Sequence, residues 1–161
     1  MFDLERTQPA IRNSLMFAEA GETAEIVGRQ YAVNEQAVAR VAARLRELDP
    51  ALVFSCARGS SDHAGVYGKY LIETRLGIPV SPTGPSVCSL YDAPLRAAGS
   101  ACLAISQSGQ SPDLLASVRT LKQSGAYVIA LVNVEDSPLA ALADEVLPLC
   151  AGPEKSVAAT K

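Results

Sequence analysis

The sequence has few aromatic residues and a single histidine. Its 161 residues include no tryptophan, three phenylalanines and one histidine, His63, while hydrophobic residues make up 48%. This fraction is enough for a core built of Ala, Val and Leu without disulfides. The four cysteines contain no CxxC pair, so the usual zinc spacings are absent. We therefore expect no metal, no cofactor, and reduced, buried thiols at Cys56 and Cys102.

An excess of positive charge is also missing. The chain has 14 Lys and Arg against 17 Asp and Glu, a net charge of −3. A general nucleic-acid binder needs a basic face, so this class is excluded. No apolar run approaches the roughly 20 residues of a membrane helix, and the polar start of the chain is no signal peptide. These absences predict a cytoplasmic protein without membrane or nucleic-acid partners, and they leave room for a small phosphorylated ligand.

The first part of the chain has a helical pattern. Apolar residues recur at steps of three and four before Asp49-Pro50, which ends the pattern. Gly21 and Gly28 predict interruptions between earlier helical pieces. The sequence thus divides into an N-terminal helical segment, residues 1–49, that packs on a domain formed by residues 50–161.

From residue 51 onward, short apolar runs alternate with helical stretches. The predicted strands cover residues 51–56, 78–81, 101–105, 127–132 and 145–149, and the intervening helices cover residues 60–76, 86–91, 111–125 and a stretch from 137. Such alternation with short loops predicts an α/β fold, a three-layer α-β-α architecture whose five-stranded parallel sheet has the order 2-1-3-4-5. Pro148 predicts that the last strand lies at an edge, and the apolar run 127–132 predicts a strand covered on both faces.

Two polar loops follow strands 1 and 3, between which the strand order reverses. Ligands of open parallel sheets bind beyond the carboxyl ends of the strands at this point. Both loops lead into helix N-termini, which offer free N–H groups and a partial positive charge. The residues concerned are Arg58, Gly59, Ser60 and Ser61 in the first loop, and Ser106, Gln107, Ser108, Gly109, Gln110 and Ser111 in the second. They predict a phosphate cradle in which the two glycines allow close backbone approach.

Simpler interpretations of these residues stay open. The serines alone are compatible with helix caps and turns, and Arg58 with either a phosphate contact or a salt bridge. His63 is either a proton shuttle or an ordinary residue at a helix terminus. A nucleotide site is disfavoured because the chain has neither GxxxxGK[ST] nor GxGxxG after the first strand.

Two segments resemble the SIS (sugar isomerase) domain family: SCARGSSDHAG at residues 55–65 and LAISQSGQSPDLLASVRTLKQSGAYVIALVN at residues 103–133. The similarity is to the isomerase half of glucosamine-6-phosphate synthases and to sugar-phosphate deaminases. It implies that the SxSG loop, Ser111 and Ser61 bind the sugar phosphate, with Gly59 and Ser60 at the sugar. Ser111 replaces the usual Thr of the synthases. Ala159 replaces their Ser, and Pro153 and Lys155 also depart from their pattern, which favours the deaminase-like relatives.

The resemblance also implies a function. It predicts the sugar-phosphate-binding half of an enzyme acting on a phosphorylated amino sugar or hexose phosphate, working as a homodimer. Family members typically carry two SIS domains, and most acid/base residues lie in the second. We therefore expect a chain truncated before that domain, inactive alone, with unknown catalytic residues. The alternatives are a relative of the isomerising glutamine–fructose-6-phosphate aminotransferases and a non-catalytic sugar-phosphate sensor, although residues 1–48 contain no basic recognition helix.

Overall fold

The computed structural model describes residues 11–156, which form a five-stranded sheet flanked by helices. The helices are α1 (Leu15–Gly21), α2 (Thr23–Leu48), α3 (Ser60–Leu76), α4 (Pro85–Ser89), α5 (Pro112–Gln123) and α6 (Pro138–Leu142). The strands are β1 (Val53–Ala57), β2 (Val80–Pro82), β3 (Ala101–Ser106), β4 (Tyr127–Val132) and β5 (Glu145–Pro148). No helix within residues 11–156 is long and apolar enough to cross a lipid bilayer.

The predicted sheet topology is confirmed. All neighbouring strands are parallel and the order is β2-β1-β3-β4-β5. Ala57 at the end of β1 pairs with Ile105, so the two strands on either side of the order reversal end together. Pro148 ends the edge strand β5, where a residue without an N–H group removes no ladder hydrogen bond.

α1 and α2 are separated at only one of the two glycines for which an interruption is predicted. Gly21 ends α1, whereas Gly28 lies inside α2, a continuous helix of 26 residues. A glycine inside a helix costs only about 1 kcal/mol relative to alanine, and this does not end a helix anchored by packing. α2 ends where predicted, with Asp49 in the left-handed conformation at φ 45°.

One face of the sheet is covered by α5 and α6. Val118, Leu121 and Leu139 from these helices have no exposed surface, and neither do Cys102 and Val128 from the strands. All four cysteines are free, and the Cys102 thiol lies 3.9 Å from that of Cys56 on the neighbouring strand. This neighbouring sulfur and burial raise the pKa of Cys102 well above its ordinary value, so the thiol stays protonated.

The opposite face is covered only at its sides. α2 packs against β5, and α3 packs against β1 and β3. Between the two helices lies an apolar cavity of about 510 Å³, lined among others by Val41, Leu45, Ile72, Leu103, Ile129 and Leu147. Leu131 in β4 is only partly buried, so the predicted coverage of that strand is complete on one face alone. The Arg40–Glu145 ion pair, 2.6 Å between Nη2 and Oε1, fastens α2 to β5.

Candidate functional site

The two predicted loops leave neighbouring strands at the same edge of the sheet. The first follows Ala57 and leads into α3 at Ser60, and the second follows Ser106 and leads into α5 at Pro112. Because Ala57 pairs with Ile105, the loops start within one residue of the same level of the sheet. The topology therefore brings the N-termini of both helices to the point where the strand order reverses.

The first loop turns through a glycine that leaves two serine hydroxyls available. Gly59 has φ 56° and ψ −129°, a conformation that glycine adopts readily and that strains other residues. Its carbonyl accepts a hydrogen bond from the N–H of Asp62 at 3.0 Å, which forms the first turn of α3. Within residues 11–156, the hydroxyls of Ser60 and Ser61 make no hydrogen bond.

The second loop is shaped by its own serines. The Ser106 hydroxyl accepts a hydrogen bond from the N–H of Gly109 at 3.0 Å, and the Ser108 hydroxyl accepts one from Gln110 at 3.3 Å. The Gln107 carbonyl accepts from Asn133 at 3.2 Å, which ties the loop to the end of β4. These bonds fix the direction of the loop backbone without a ligand.

Gly109 is required by the space around it. Its φ is 64°, and a Cβ atom added there would lie 2.2 Å from Oγ and 2.6 Å from Cβ of Ser137. The same atom would lie 3.1 Å from Cγ2 of Val132. The loop therefore packs against the start of α6 at a distance that only glycine permits.

Neither helix at the site is capped by the side chain of its N-cap residue. Gly59 at the N-cap of α3 has no side chain, and the Ser111 hydroxyl at the N-cap of α5 makes no capping hydrogen bond. In contrast, Ser14 and Ser137 each accept a hydrogen bond from the first turn of α1 and α6. Ser111 thus occupies the N-cap position of α5 without using its hydroxyl there. The first N–H groups of α3 keep their capacity to bind an anion. In α5, Pro112 has no N–H, and the N–H of Leu114 already donates to Oδ1 of Asp113 at 2.9 Å.

A cavity of about 550 Å³ opens beside the loops. Ser60, Ser61 and Gln107 line it together with apolar side chains such as Leu103 and Leu131. The other predicted residues, Gly59, Ser106, Ser108, Gly109 and Ser111, do not line this cavity. Alternation along β3 explains the division, because Ser106 continues the row of Cys102 and Ala104 toward the α5 face, whereas Gln107 follows Leu103 and Ile105.

The far wall of the cavity comes from the end of β4 and from the loop that follows β5. The side chain of Asn133 accepts a hydrogen bond from the N–H of Ala151 at 2.9 Å and donates one to the carbonyl of Gly152 at 2.7 Å. Asn133, Ala151 and Glu154 all line the cavity. Glu19, buried in α1, accepts a hydrogen bond from the N–H of Lys155 at 2.6 Å and also holds Ser156.

An ion pair links the two loops. Nη1 of Arg58 lies 2.6 Å from Oδ2 of Asp113 in the first turn of α5. Burial raises the pKa of the Asp113 carboxyl, but the Arg58 guanidinium and the N–H of Leu114 outweigh it and leave the pKa below its ordinary value. Of the two roles open to Arg58, the structure therefore contains the salt bridge.

Comparisons with known proteins agree with this fold. The SIS domain model matches residues 52–161. The isomerizing glutamine–fructose-6-phosphate aminotransferases of Clostridium acetobutylicum and Symbiobacterium thermophilum are 40% and 42% identical over 118 and 120 residues, which is 73% and 74% of this chain. The matches cover only 19% of each of those proteins, about a fifth of their length.

Solved structures give the same result. A protein from Silicibacter pomeroyi assigned to the phosphosugar isomerases is 48% identical with a TM-score of 0.86, over 89% of this chain and 44% of that one. The C-terminal domain of glucosamine-fructose-6-phosphate aminotransferase from Francisella tularensis is 28% identical with a TM-score of 0.76, over 92% of this chain and 42% of its own. The family match, the sheet order and the two loops at the order reversal establish that the chain belongs to the SIS domain family.

Proposed function

We propose that this chain is the sugar-phosphate-binding part of an amino-sugar-phosphate isomerase or deaminase. One observation carries the proposal: the N-terminus of α3, whose N-cap Gly59 has no side chain, and the hydroxyls of Ser60 and Ser61, which bond to no described residue, lie at a cavity of about 550 Å³. Free N–H groups and hydroxyls are the donors that a phosphate group needs, and the cavity gives room for the attached sugar. Membership of a family whose relatives are phosphosugar isomerases and aminotransferases supports the same function.

In this proposal the phosphate binds at the second loop. The hydroxyls of Ser108 and Ser111 surround it, with Ser61 adding a donor from the first loop. Ser106 keeps the loop in shape through its bond to Gly109. The sugar extends toward Gln107 and Ser60, which line the cavity. The phosphate thus supplies binding energy remote from the carbons that react.

The reaction we propose is an aldose–ketose interconversion in which water replaces the amino group at C2 of the sugar and ammonia leaves, or the reverse reaction, in which ammonia is added and water leaves. It needs general acid and base groups near C1 and C2, and we place these outside this chain. We propose further that the protein is a cytoplasmic homodimer and that residues 1–49 form a helical segment packed on the domain of residues 50–161, although residues 1–10 and 157–161 lie outside the part that the structure describes.

A thermal unfolding experiment tests the proposed ligand class. Glucosamine 6-phosphate and fructose 6-phosphate are each added at millimolar concentration in buffer without inorganic phosphate, and unphosphorylated glucosamine serves as the control. A ligand at one hundred times its Kd stabilises a protein by about 2.7 kcal/mol, which raises the Tm of a domain of this size by roughly 5–10 °C. A Tm that neither of the two sugar phosphates raises would contradict the proposal.

Two serine variants locate the site. Ser61→Ala and Ser111→Ala remove hydroxyls that bond to no described residue, so the stability of the unliganded protein stays the same. Each removes a hydrogen bond to a charged phosphate, and we expect a Kd for glucosamine 6-phosphate raised about tenfold or more. Ser124→Ala, at the opposite end of α5, is the matched control and leaves the Kd unchanged. The same Kd in all three variants would place the ligand elsewhere.

A further inference from the structure

Arg58 is a cation held at the place where the two loops meet. It directly precedes Gly59, and its partner Asp113 is the second residue of α5. Nη1 of Arg58 and Oδ2 of Asp113 are 2.6 Å apart, yet 57% of the arginine side chain is exposed, against 22% for the aspartate. The guanidinium is therefore free on its outer side and able to contact a ligand at the loops.

Asp113 creates an electrostatic problem for an anion at this site. Its carboxylate lies in the first turn of α5, where Oδ1 accepts a hydrogen bond from the N–H of Leu114 at 2.9 Å, close to the proposed phosphate position. A bare carboxylate there repels a dianionic phosphate and offsets the helix dipole. Its pairing with Arg58 cancels this charge in the free domain. A planar guanidinium also matches the spacing of phosphate oxygens and forms paired hydrogen bonds with them.

We propose that Arg58 recognises the phosphate by exchanging partners: Asp113 holds its guanidinium in the free domain, and the phosphate of a bound sugar takes it over. This inference rests on the proposed function, because it assigns a selectivity residue to the same site. Phosphate binding and the Arg58–Asp113 ion pair then compete for one guanidinium. Arg58 thereby distinguishes a phosphorylated sugar from the same sugar without phosphate.

Competition of this kind gives the two partners opposite effects. Arg58→Ala removes a phosphate contact and leaves Asp113 uncompensated, so the Kd for glucosamine 6-phosphate rises about tenfold or more. Asp113→Asn releases Arg58 and removes a negative charge, so the Kd falls by about threefold or more. A pair that only holds the loops together would weaken binding in both variants.

The experiment is calorimetric titration of wild type, Arg58→Ala, Asp113→Asn and the double variant. Glucosamine 6-phosphate and inorganic phosphate are the probes, each at low and at high ionic strength. In the Arg58→Ala background there is no guanidinium to release, so Asp113→Asn lowers the Kd only by removing the repulsion of the carboxylate. The effects of the two substitutions on the binding free energy are therefore not additive. We expect the Kd of wild type to rise more steeply with salt than that of Arg58→Ala.

The Arg40–Glu145 pair is a matched control. Its closest atoms are also 2.6 Å apart, and its side chains are 58% and 16% exposed, but it joins α2 to β5. Arg40→Ala therefore removes a comparable ion pair and should leave the Kd for both probes unchanged. Circular dichroism of every variant establishes that it is folded before titration.

The outcomes separate the inference from the proposed function. If wild type binds neither probe, the proposed function is wrong and the inference falls with it. If Ser61→Ala weakens glucosamine 6-phosphate binding but Arg58→Ala does not, the function stands and the partner exchange is refuted. Equal weakening by Arg58→Ala and Asp113→Asn also refutes it. Opposite changes in Kd, with Arg40→Ala unchanged, support it.

Discussion

Replacing Gly109 with alanine tests how closely the second loop is packed. The added Cβ would lie 2.2 Å from Oγ and 2.6 Å from Cβ of Ser137. Rotation of the Ser137 hydroxyl removes the first contact but not the second, so the backbone must move. Ser137 also caps α6 by accepting a hydrogen bond from the N–H of Ala140 at 3.3 Å. A shift of this residue therefore disturbs both the loop and the start of the helix.

The expected cost has two parts. A residue with a Cβ in the left-handed region loses about 1–2 kcal/mol, and the φ of Gly109 is 64°. Forcing one extra carbon into a packed interior costs about 1–3 kcal/mol more. We therefore expect Gly109→Ala to lower the free energy of unfolding by about 2–5 kcal/mol, a large part of the 5–15 kcal/mol that stabilises most domains.

Gly77→Ala is the control that separates the two parts. Gly77 ends α3 with φ 70°, but no atom lies within 4 Å of a Cβ placed there. Gly77→Ala therefore has the conformational cost without the steric one, and we expect the free energy of unfolding to fall by about 1–2 kcal/mol. Urea denaturation followed by far-UV circular dichroism measures both variants, and their difference gives the steric contribution.

A double variant tests the assigned contact. Ser137→Gly removes the atoms that an alanine at position 109 would meet, except for Val132. Gly109→Ala should therefore cost less in the Ser137→Gly background than in wild type, by about 1–2 kcal/mol. Equal losses for Gly109→Ala and Gly77→Ala in the wild-type background, or no relief in the double variant, would refute the close packing of this loop.

Two further predictions concern pH and the cavity wall. Lys69, followed by the N–H of Val80, lowers the pKa of Glu73 below its ordinary value of 4.5. An acidic group with a lowered pKa stabilises the fold above about pH 4.5, and this stabilisation is lost as the pH falls through the folded-state pKa. Between about pH 6 and pH 3, the free energy of unfolding measured by urea titration should therefore fall more for wild type than for Glu73→Gln. Asn133→Ala should speed amide hydrogen exchange at Ala151, because the Asn133 side chain accepts that amide's hydrogen bond at 2.9 Å, whereas Asn133→Asp keeps the acceptor and the protection.

The fold follows from short-range patterns in the sequence. Alternating apolar runs and helical stretches set the strand number, and right-handed crossovers set the order, so both predictions are confirmed. Pro148 marked an edge strand because it donates no hydrogen bond. The predicted interruption at Gly28 was wrong because glycine weakens a helix without ending it, and the packing of α2 on β5 outweighs this penalty.

The site could be predicted only in part, for a physical reason. Sequence shows which residues follow which strand, and this was enough to bring residues 59–61 and 106–111 to one edge. Contacts across long sequence separations leave no periodic signal. Three contacts at the site join residues far apart in the sequence. Arg58 and Asp113 are 55 residues apart, Asn133 and Ala151 are 18 apart, and Glu19 and Lys155 are 136 apart. Side-chain geometry, not pattern, determines them.

The serines at this edge fall into two groups with different consequences for binding. Ser106 and Ser108 already bond within the loop, so the backbone donors point in fixed directions before any ligand arrives. Ser61 and Ser111 bond to no described residue and stay available. Ordering a mobile side chain on binding costs about 0.5–1.5 kcal/mol, and a loop that is already shaped avoids most of this cost. Removing the Ser106 hydroxyl should therefore weaken ligand binding by loosening Gly109 and its neighbours, even if that hydroxyl never touches the ligand.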